Sequence, residues 1–291
     1  MKPQIQRRRF LQLGGLAVAG TAISSLAGPG SAARAAAPGD RIKRAVGWEM
    51  IQEKLSVEDK FRLAKDVGFE GVEVSSGARK AAGIEPQEFA RASQKVGLPI
   101  HGVVGVGAGG LDEVLDEAAL YGATSLLYVV RADPKGSFME NYRRSQEVLR
   151  AALPQAEKRG IPILVENVWA TFLIEPLTMA RYIDELNSPY VKSYFDIGNV
   201  MRWGVPQQWI EVLGKRIGKV HVKEYSMKIA MNEGMAKGFN VPIGQGDIDW
   251  KRVREELGKI QFHGWATAEV RGGDRQRLSQ IFAEMSKVLA L

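Results

Sequence analysis

Stretches typical of buried β-strands alternate with stretches typical of helices along almost the whole chain, and this alternation constrains the fold more than any other feature. The strand-like runs are short and rich in β-branched or aromatic residues, and they cover residues 45–49, 71–75, 99–105, 125–131, 162–167, 192–198, 219–224 and 265–270. Helical patterns cover residues 57–67, 86–96, 111–121, 138–158, 176–186, 206–213, 250–257 and 275–289. This repeated pairing predicts an α/β protein made of a single (β/α)8 TIM barrel. A doubly wound open sheet is the alternative, but it gives no reason for every strand to end in polar groups.

The amino-terminal segment has the pattern of an export signal. It carries five basic residues and no acidic one, with an Arg-Arg-Arg run at positions 7–9, then a modest apolar run that glycines interrupt, and then an alanine-rich stretch. This pattern predicts a twin-arginine signal peptide at residues 1–37, cut near Ala35 or Ala37, followed by the barrel at residues 38–291. The protein would then use the twin-arginine translocase to reach the periplasm, with no stable membrane span in its mature form. An uncleaved amphipathic anchor is the alternative.

Removal of this segment changes what the net charge implies. The formal net charge of the whole chain is +7, and loss of the five basic residues leaves about +2 for the mature part. So small a charge, without a basic stripe between aromatic residues, excludes nucleic acid as a partner. Without its first 37 residues the 291-residue chain keeps 254, close to the roughly 250 of one barrel. The chain has no cysteine, which excludes disulfides and thiolate chemistry.

Four residues with metal-binding side chains stand at the ends of four different strand-like runs. Glu166 ends the run IPILVEN, Asp196 lies in VKSYFDIGN, His221 in GKVHVKE and Glu269 in GWATAEV. In a parallel barrel the carboxyl ends of the strands meet at one face. Three carboxylates and one imidazole form a site that suits Mn²⁺, Mg²⁺, Co²⁺ or a similar divalent ion such as Zn²⁺.

Each of these residues also has an ordinary structural role open to it. Glu166 could pair with a basic residue of the barrel, and Asp196 could cap the turn that follows it. His221 could be a buried core histidine, and Glu269 could pair with Arg271. The four together favour a metal site, because crowded buried carboxylates are costly unless a cation neutralises them.

Further polar and aromatic residues near the predicted strand ends are expected to contact a substrate: Trp48, Glu73, His101, Trp169, Asn199, Lys223 and Arg271. The tryptophans would form an apolar wall of the binding pocket. Lys223 would stabilise an oxyanion or orient the substrate, unless it pairs with Glu224 or Glu73. His101 could instead be a core histidine whose ring nitrogens have protein partners.

The order and spacing of several motifs resemble those of one known family. The motifs are GVE at 71–73, EN at 166–167, FDIGN at 195–199, HVKEY at 221–225, PIGQGDIDW at 242–250 and AE at 268–269. With them the chain resembles the xylose-isomerase-like TIM-barrel sugar isomerases and epimerases, which include tagatose/psicose 3-epimerases and ribulose-phosphate 3-epimerases. The resemblance implies that Glu166, Asp196, His221 and Glu269 hold one divalent ion, often Mn²⁺, and that Glu166 and Glu269 exchange protons with substrate. It departs from the tagatose-type pattern at Asn199, where those epimerases have a histidine.

These observations predict a metal-dependent isomerase or epimerase that acts through an enediolate. One carboxylate would take a proton from a free ketose or oxidised sugar, and the other would return it to the opposite face. A lyase or hydratase acting on a 3-keto-glycoside is one alternative, and a non-catalytic periplasmic sugar-binding protein is another. A multi-zinc nuclease is excluded because the chain has only His101, His221 and His263. The oligomeric state stays open, a homo-oligomer included.

Overall fold

Eight parallel strands close into a barrel in this computed structural model, which describes residues 42–105, 110–169 and 171–290. The strands follow one another around the barrel in chain order, and the last pairs with the first. They are β1 (Ile42–Gly47), β2 (Gly71–Ser75), β3 (Ile100–Gly105), β4 (Leu126–Tyr128), β5 (Ile163–Glu166), β6 (Val191–Asp196), β7 (Ile217–Val222) and β8 (Gly264–Ala268). The predicted (β/α)8 barrel is confirmed, and closure excludes the open sheet.

Helices surround the barrel and also occur in three loops at its carboxyl face. The helices are α1 (Val57–Val67), α2 (Ser76–Ala81), α3 (Pro86–Val96), α4 (Leu111–Tyr121), α5 (Phe138–Arg159), α6 (Pro176–Asp184), α7 (Ile197–Val200), α8 (Pro206–Leu213), α9 (Met227–Glu233), α10 (Trp250–Lys259) and α11 (Arg275–Leu289). The sequence pattern did not predict α2, α7 and α9, which follow β2, β6 and β7. In particular, Ile197 and Gly198 were expected to continue β6 and instead begin α7.

Helix ends follow the local sequence signals. Ser56 caps α1 by accepting the backbone N–H of Asp59, and Asp249 caps α10 by accepting that of Arg252. Glycines with positive φ end four of the helices, namely Gly68, Gly97, Gly122 and Gly160. These signals explain why the helical segments were predicted within a few residues.

The two-residue period of a strand decides which side chains enter the barrel. In β5, Ile163 and Val165 belong to the large apolar cluster between strands and helices, whereas Leu164 belongs to a separate small cluster inside the barrel. Glu166 follows Leu164 by two residues and therefore lies on the inner face. The same rule places His221 inside, because Val220 and Val222 pack outward.

The loop after β7 is fastened to the barrel by one buried carboxylate. Glu224 is fully buried, and its two oxygens accept hydrogen bonds from three backbone N–H groups and from the indole N–H of Trp250 at 2.8 Å. The backbone donors belong to Tyr225, Gly244 and Ile248. A Cβ at Gly246 would lie 2.4 Å from the carbonyl oxygen of Tyr225, so this close approach requires glycine. The motif at 242–250 thus closes the loop around Glu224.

No described helix combines the length and the apolar character that a membrane crossing requires. The predicted signal peptide lies outside the described residues, and export stays a prediction.

We predict that Glu224→Gln lowers the free energy of unfolding by about 2–4 kcal/mol, because an amide nitrogen would face N–H donors that need an acceptor. Urea denaturation measures this difference. Glu233→Gln is the matched control on the same loop, since its side chain is 56% exposed, and it should change the value by less than about 0.5 kcal/mol. Equal effects of the two substitutions would contradict this role for Glu224.

Candidate metal centre

Glu166, Asp196, His221 and Glu269 converge at the carboxyl end of the barrel. One ligand atom from each lies within 4.8 Å of one atom from each of the others. Nδ1 of His221 lies 3.0 Å from Oε1 of Glu166, 2.9 Å from Oε2 of Glu269 and 3.8 Å from Oδ2 of Asp196. Four side chains far apart in sequence thus form a group that can hold a divalent ion.

Strand register brings these side chains to the same depth. Asp196 in β6 is aligned with His221 in β7, and Val222 in β7 is aligned with Ala268, the residue before Glu269. Glu166 is aligned with Tyr194 in β6, two residues before Asp196. The bond from the Glu269 N–H to the Val222 carbonyl continues the β7–β8 pairing past the end of β8.

Asn167 holds the backbone of Asp196, although its amide does not reach the group of four. Its side chain accepts the Asp196 N–H at 2.8 Å and donates to the Asp196 carbonyl at 2.9 Å. Asp196 in turn uses Oδ1 to cap α7 by accepting the Asn199 N–H, which leaves Oδ2 turned towards His221 and Lys223. The sequence analysis named Asn167 only as part of the EN motif and gave it no role, although its place directly after a ligand at a strand end was a usable signal.

Burial makes negative charge costly at this centre. It raises the pKa of Glu166, and it raises the pKa of Asp196 to about 8 despite the nearby Lys223 ammonium. Oδ2 of Asp196 is fully buried and has no hydrogen-bond partner of good geometry in the described part of the chain. These carboxylates gain by meeting a cation, which is what a divalent ion would supply. Three carboxylates and one imidazole nitrogen are also the donor set that such an ion prefers.

Lys223 lies against the group of four. Its ammonium nitrogen is 2.8 Å from Oδ2 of Asp196 and 2.9 Å from Oε2 of Glu269. The alternative that Lys223 pairs with Glu224 or Glu73 is therefore wrong. A Cβ at Gly198 would lie 2.2 Å from Cγ of Lys223, so glycine at this position gives the lysine stem its path to the centre. Glu269 likewise pairs with His221 and Lys223, and the alternative pairing with Arg271 is not found.

An open cleft of about 740 Å³ begins at Lys223 and Glu269. Its other walls include Phe239 and Pro242 from the loop after β7, and the exposed Arg271. Trp169 packs on Phe239 with ring centroids 5.1 Å apart, which places one predicted aromatic residue beside the cleft. Phe239 was not predicted, because its loop has no strand pattern to locate it.

Trp169 and Asn199 are fixed by each other and by their neighbours. The indole N–H of Trp169 donates to the Asn199 carbonyl at 2.8 Å, and the Asn199 amide donates to the Asn167 carbonyl at 2.9 Å. Oδ1 of Asn199 lies 3.4 Å from the Lys223 ammonium. Both residues are half-buried, so their predicted contact with substrate fits their positions and stays a prediction.

Three residues predicted to contact substrate lie elsewhere. Trp48 is buried against Phe89, with ring centroids 4.9 Å apart, and it lies under the Lys60 ammonium. It therefore belongs to the layer between strands and helices, and the expectation that it walls the cleft is wrong. The cause is that Trp48 begins a short 3-10 turn after β1, which turns its ring outward.

Glu73 and His101 lie inside the barrel beneath the centre. Glu73 is the third residue of β2 and His101 the second of β3, so neither stands at a strand end as predicted. They are 4% and 1% exposed, and side chains of the barrel occupy their polar atoms. His101 is therefore a core histidine whose ring nitrogens have protein partners, which was the alternative interpretation of the sequence.

Comparison with known proteins places this architecture in a family. The family model described as xylose isomerase-like TIM barrel matches residues 61–289, which is most of the chain. The chain belongs to this family. A relative is the putative L-ribulose-5-phosphate 3-epimerase SgbU of Escherichia coli strain K12, which is 27% identical over 124 residues. That match covers 42% of this chain and 42% of SgbU, so it spans less than half of either protein.

Solved structures with a similar fold include proteins of different activities. The 3-keto-D-glucoside 4-epimerase YcjR of Escherichia coli has a TM-score of 0.68 and 16% identity, over 86% of this chain and 99% of that one. The IolI protein with a bound zinc atom has a TM-score of 0.72 and 15% identity, over 85% of this chain and 98% of that one. The probable 3-DHS dehydratase AsbF of Bacillus anthracis has a TM-score of 0.67 and 15% identity, over 86% of this chain and 99% of that one. At these identities the likeness establishes the fold alone.

We predict that addition of Mn²⁺ or Zn²⁺ to the ion-free protein raises its melting temperature, because the ion binds the folded state only. At an ion concentration 100 times Kd the stabilisation would be about 2.7 kcal/mol. Elemental analysis after dialysis should give one ion per chain.

Asp196→Asn should remove most of this stabilisation, since it replaces a charged ligand by a neutral amide. Glu49→Gln is the control, because Glu49 lies just after β1 and accepts the Ser75 N–H instead of joining the group of four. If Asp196→Asn binds ion as tightly as Glu49→Gln, the assignment of Asp196 as a ligand is wrong.

Proposed function

We propose that this member of the xylose isomerase-like family is a metal-dependent epimerase or isomerase of a small carbohydrate. The observation that carries the proposal is the convergence of two carboxylates, Glu166 and Glu269, at the group of four, beside the cleft that Glu269 lines. They come from different strand ends, β5 and β8, and so reach that point from different directions. Such a pair can remove a proton from one face of a sugar carbon and deliver one to another face.

The ion that the group of four would hold supplies one thing to this chemistry, namely stabilisation of the negative charge that develops on the substrate oxygens. Glu269 is the carboxylate nearer the cleft, since its side chain is 49% exposed, whereas Glu166 is 7% exposed. Glu269 can therefore meet a substrate proton with little rearrangement. Glu166 would act from the floor of the site.

Other side chains would orient the substrate. Lys223 presents a positive charge beside Glu269 where the cleft begins, so we assign it to stabilising the negative charge that develops on the substrate. Trp169 and Phe239 offer aromatic surface at one side of the cleft, and Arg271 offers five N–H donors at another. Asn199 would donate to or accept from a hydroxyl near Lys223.

We further propose that the substrate is a free ketose or an oxidised sugar. We infer from the amino-terminal sequence that the protein is exported through the twin-arginine pathway to the periplasm and loaded with Mn²⁺ before export. Outside the cytoplasm a free ketose or an oxidised sugar is a more available substrate than a sugar phosphate. A 3-keto-glycoside fits the chemistry well, because the carbonyl acidifies the neighbouring C–H groups. The similar fold named as a 3-keto-D-glucoside 4-epimerase supports this choice, whereas SgbU is named for a phosphate ester.

The proposal is tested by incubating the Mn²⁺-loaded protein in D₂O with a panel of free ketoses and 3-keto-glycosides. NMR should show deuterium entering the carbon next to the carbonyl, together with the epimer or the isomeric aldose. Loss of a β-substituent instead of epimer formation would indicate the lyase alternative. Binding without deuterium exchange by any compound would indicate a sugar-binding protein and would contradict the proposal.

We predict that Glu166→Gln and Glu269→Gln each lower the exchange rate by about 10²–10⁴-fold, since each removes a proton-transfer group. The ion content of each variant is measured in parallel, and rates are compared at saturating Mn²⁺ to separate lost proton transfer from lost ion. Glu49→Gln serves again as the control and should keep the wild-type rate. Deuterium exchange at the wild-type rate in both variants would contradict the two-carboxylate mechanism.

A further inference from the structure

A continuous series of buried hydrogen bonds crosses the inside of the barrel below the metal centre. We call it the interior chain, and its members are Lys219, His101, Thr267, Tyr194, Glu73 and His221. His101 joins the first two links: its Nδ1 lies 3.0 Å from Nζ of Lys219, and its Nε2 lies 3.0 Å from Oγ1 of Thr267. The Tyr194 hydroxyl lies 3.0 Å from Oγ1 of Thr267 and 2.8 Å from Oε1 of Glu73. The last link is the 2.9 Å contact between Oε2 of Glu73 and Nε2 of His221. All six residues are less than a tenth exposed.

The hydrogen bonds of this chain can all be directed towards Glu73. Where Lys219 donates to Nδ1 of His101, Nε2 of His101 carries the hydrogen. Thr267 then accepts from His101 and donates to the Tyr194 oxygen, which leaves the Tyr194 hydroxyl hydrogen for Glu73. Glu73 receives this hydrogen bond on one oxygen and faces Nε2 of His221 with the other.

This direction fixes the orientation of the metal-ligand imidazole. A carboxylate that only accepts requires a hydrogen on Nε2 of His221. The other ring nitrogen, Nδ1, then has its lone pair available on the side where Glu166, Asp196 and Glu269 lie. A histidine with the opposite tautomer would present a hydrogen to a metal ion and could not bind it.

Lys219 lies near Glu73 inside the barrel. The point where a Cβ of Gly102 would stand is 2.9 Å from Oε1 of Glu73 and 3.3 Å from Nζ of Lys219. A side chain there would collide with both groups, so Gly102 leaves the space in which these two polar side chains lie. Burying polar groups costs free energy unless they are hydrogen-bonded, and Glu73 uses its two oxygens for Tyr194 and His221.

We propose that Glu73 is the positioning residue of the metal centre: it holds His221 with the hydrogen on Nε2 and with Nδ1 towards the ion, and the Tyr194 hydroxyl holds the carboxyl group of Glu73 in place. This inference deepens the proposed function and rests on the metal site assigned there. The sequence feature behind it is the alternation of Lys219 and His221 on the inner face of β7, with Glu73 opposite them on β2.

The test measures ion affinity in the ion-free full-length protein by competition with a chromophoric chelator for Zn²⁺ and Mn²⁺. Glu73→Gln preserves shape but replaces one accepting oxygen by a donor, and we expect the affinity to fall by about 10–100-fold. Tyr194→Phe withdraws one donor from Glu73 and should cost about two- to tenfold. Ser193→Ala is the matched control, because the Ser193 hydroxyl is buried beside Tyr194 and has no partner among the described residues, and its affinity should equal wild type.

A second readout follows the imidazole directly. In the Zn²⁺-loaded protein labelled with ¹⁵N-histidine, only three histidines give signals, and the one at His221 should show a hydrogen on Nε2 with a strongly downfield proton shift. Glu73→Gln should move that proton upfield without changing the His263 signal. A merely structural role for Glu73 would leave this shift in place.

The outcomes separate this inference from the proposed function. If the wild-type protein binds neither ion, the metal site itself is wrong. If the wild type binds but Glu73→Gln and Tyr194→Phe bind equally tightly and the His221 signal stays in place, the positioning role is wrong. If Glu73→Gln fails to fold, Tyr194→Phe decides, since it changes neither Glu73 nor Lys219.

Discussion

Three carboxylates lie crowded together at the carboxyl end of the barrel, and the free-energy cost of burying them explains the groups that surround them. Glu166 and Asp196 are buried within 4.8 Å of each other and of Glu269, and burial alone drives both carboxylates towards their protonated forms. Positive charge favours the ionised carboxylates, and the chain supplies some of it through Lys223 and His221. A divalent ion bound by the group of four is the partner that we propose for all the carboxylates together.

The barrel positions this charge by simple repetition. Each of the residues Glu166, Asp196, His221 and Glu269 lies two positions after another inward-facing residue, namely Leu164, Tyr194, Lys219 and Thr267. The upper residues form the metal centre, and three of the lower ones form part of the interior chain that reaches His221 through Glu73. The two-residue period of the strands thus places the ligands at the carboxyl end of the barrel and the residues that support them by hydrogen bonds one layer below.

Sequence alone predicted the barrel and the convergence of the four ligands, because strand-like runs and their polar ends are local features that alternate regularly. It failed where depth or direction depends on neighbours. His101 was read as a residue of a strand end, but β3 continues four residues beyond it, and its ring lies deep inside the barrel. Trp48 follows its strand as predicted, yet a 3-10 turn sends its ring outward. The role of Glu224 carried no sequence signal, since three of its four donors come from positions 20 to 26 residues away and meet it only after the loop has closed.

Lys223 adds a positive charge to the surroundings of the metal centre. Its ammonium lies 2.8 Å from Oδ2 of Asp196 and 2.9 Å from Oε2 of Glu269, so a bound ion would compete with it for these two oxygens.

An anomalous difference map from a Mn²⁺-soaked crystal shows whether these four residues bind one ion. We expect one peak bounded by Oε1 of Glu166, Oδ2 of Asp196, Nδ1 of His221 and Oε2 of Glu269, with Lys223 displaced towards the cleft. A peak elsewhere, or no peak while Lys223 still bridges Asp196 and Glu269, would contradict the assignment of these residues as ligands.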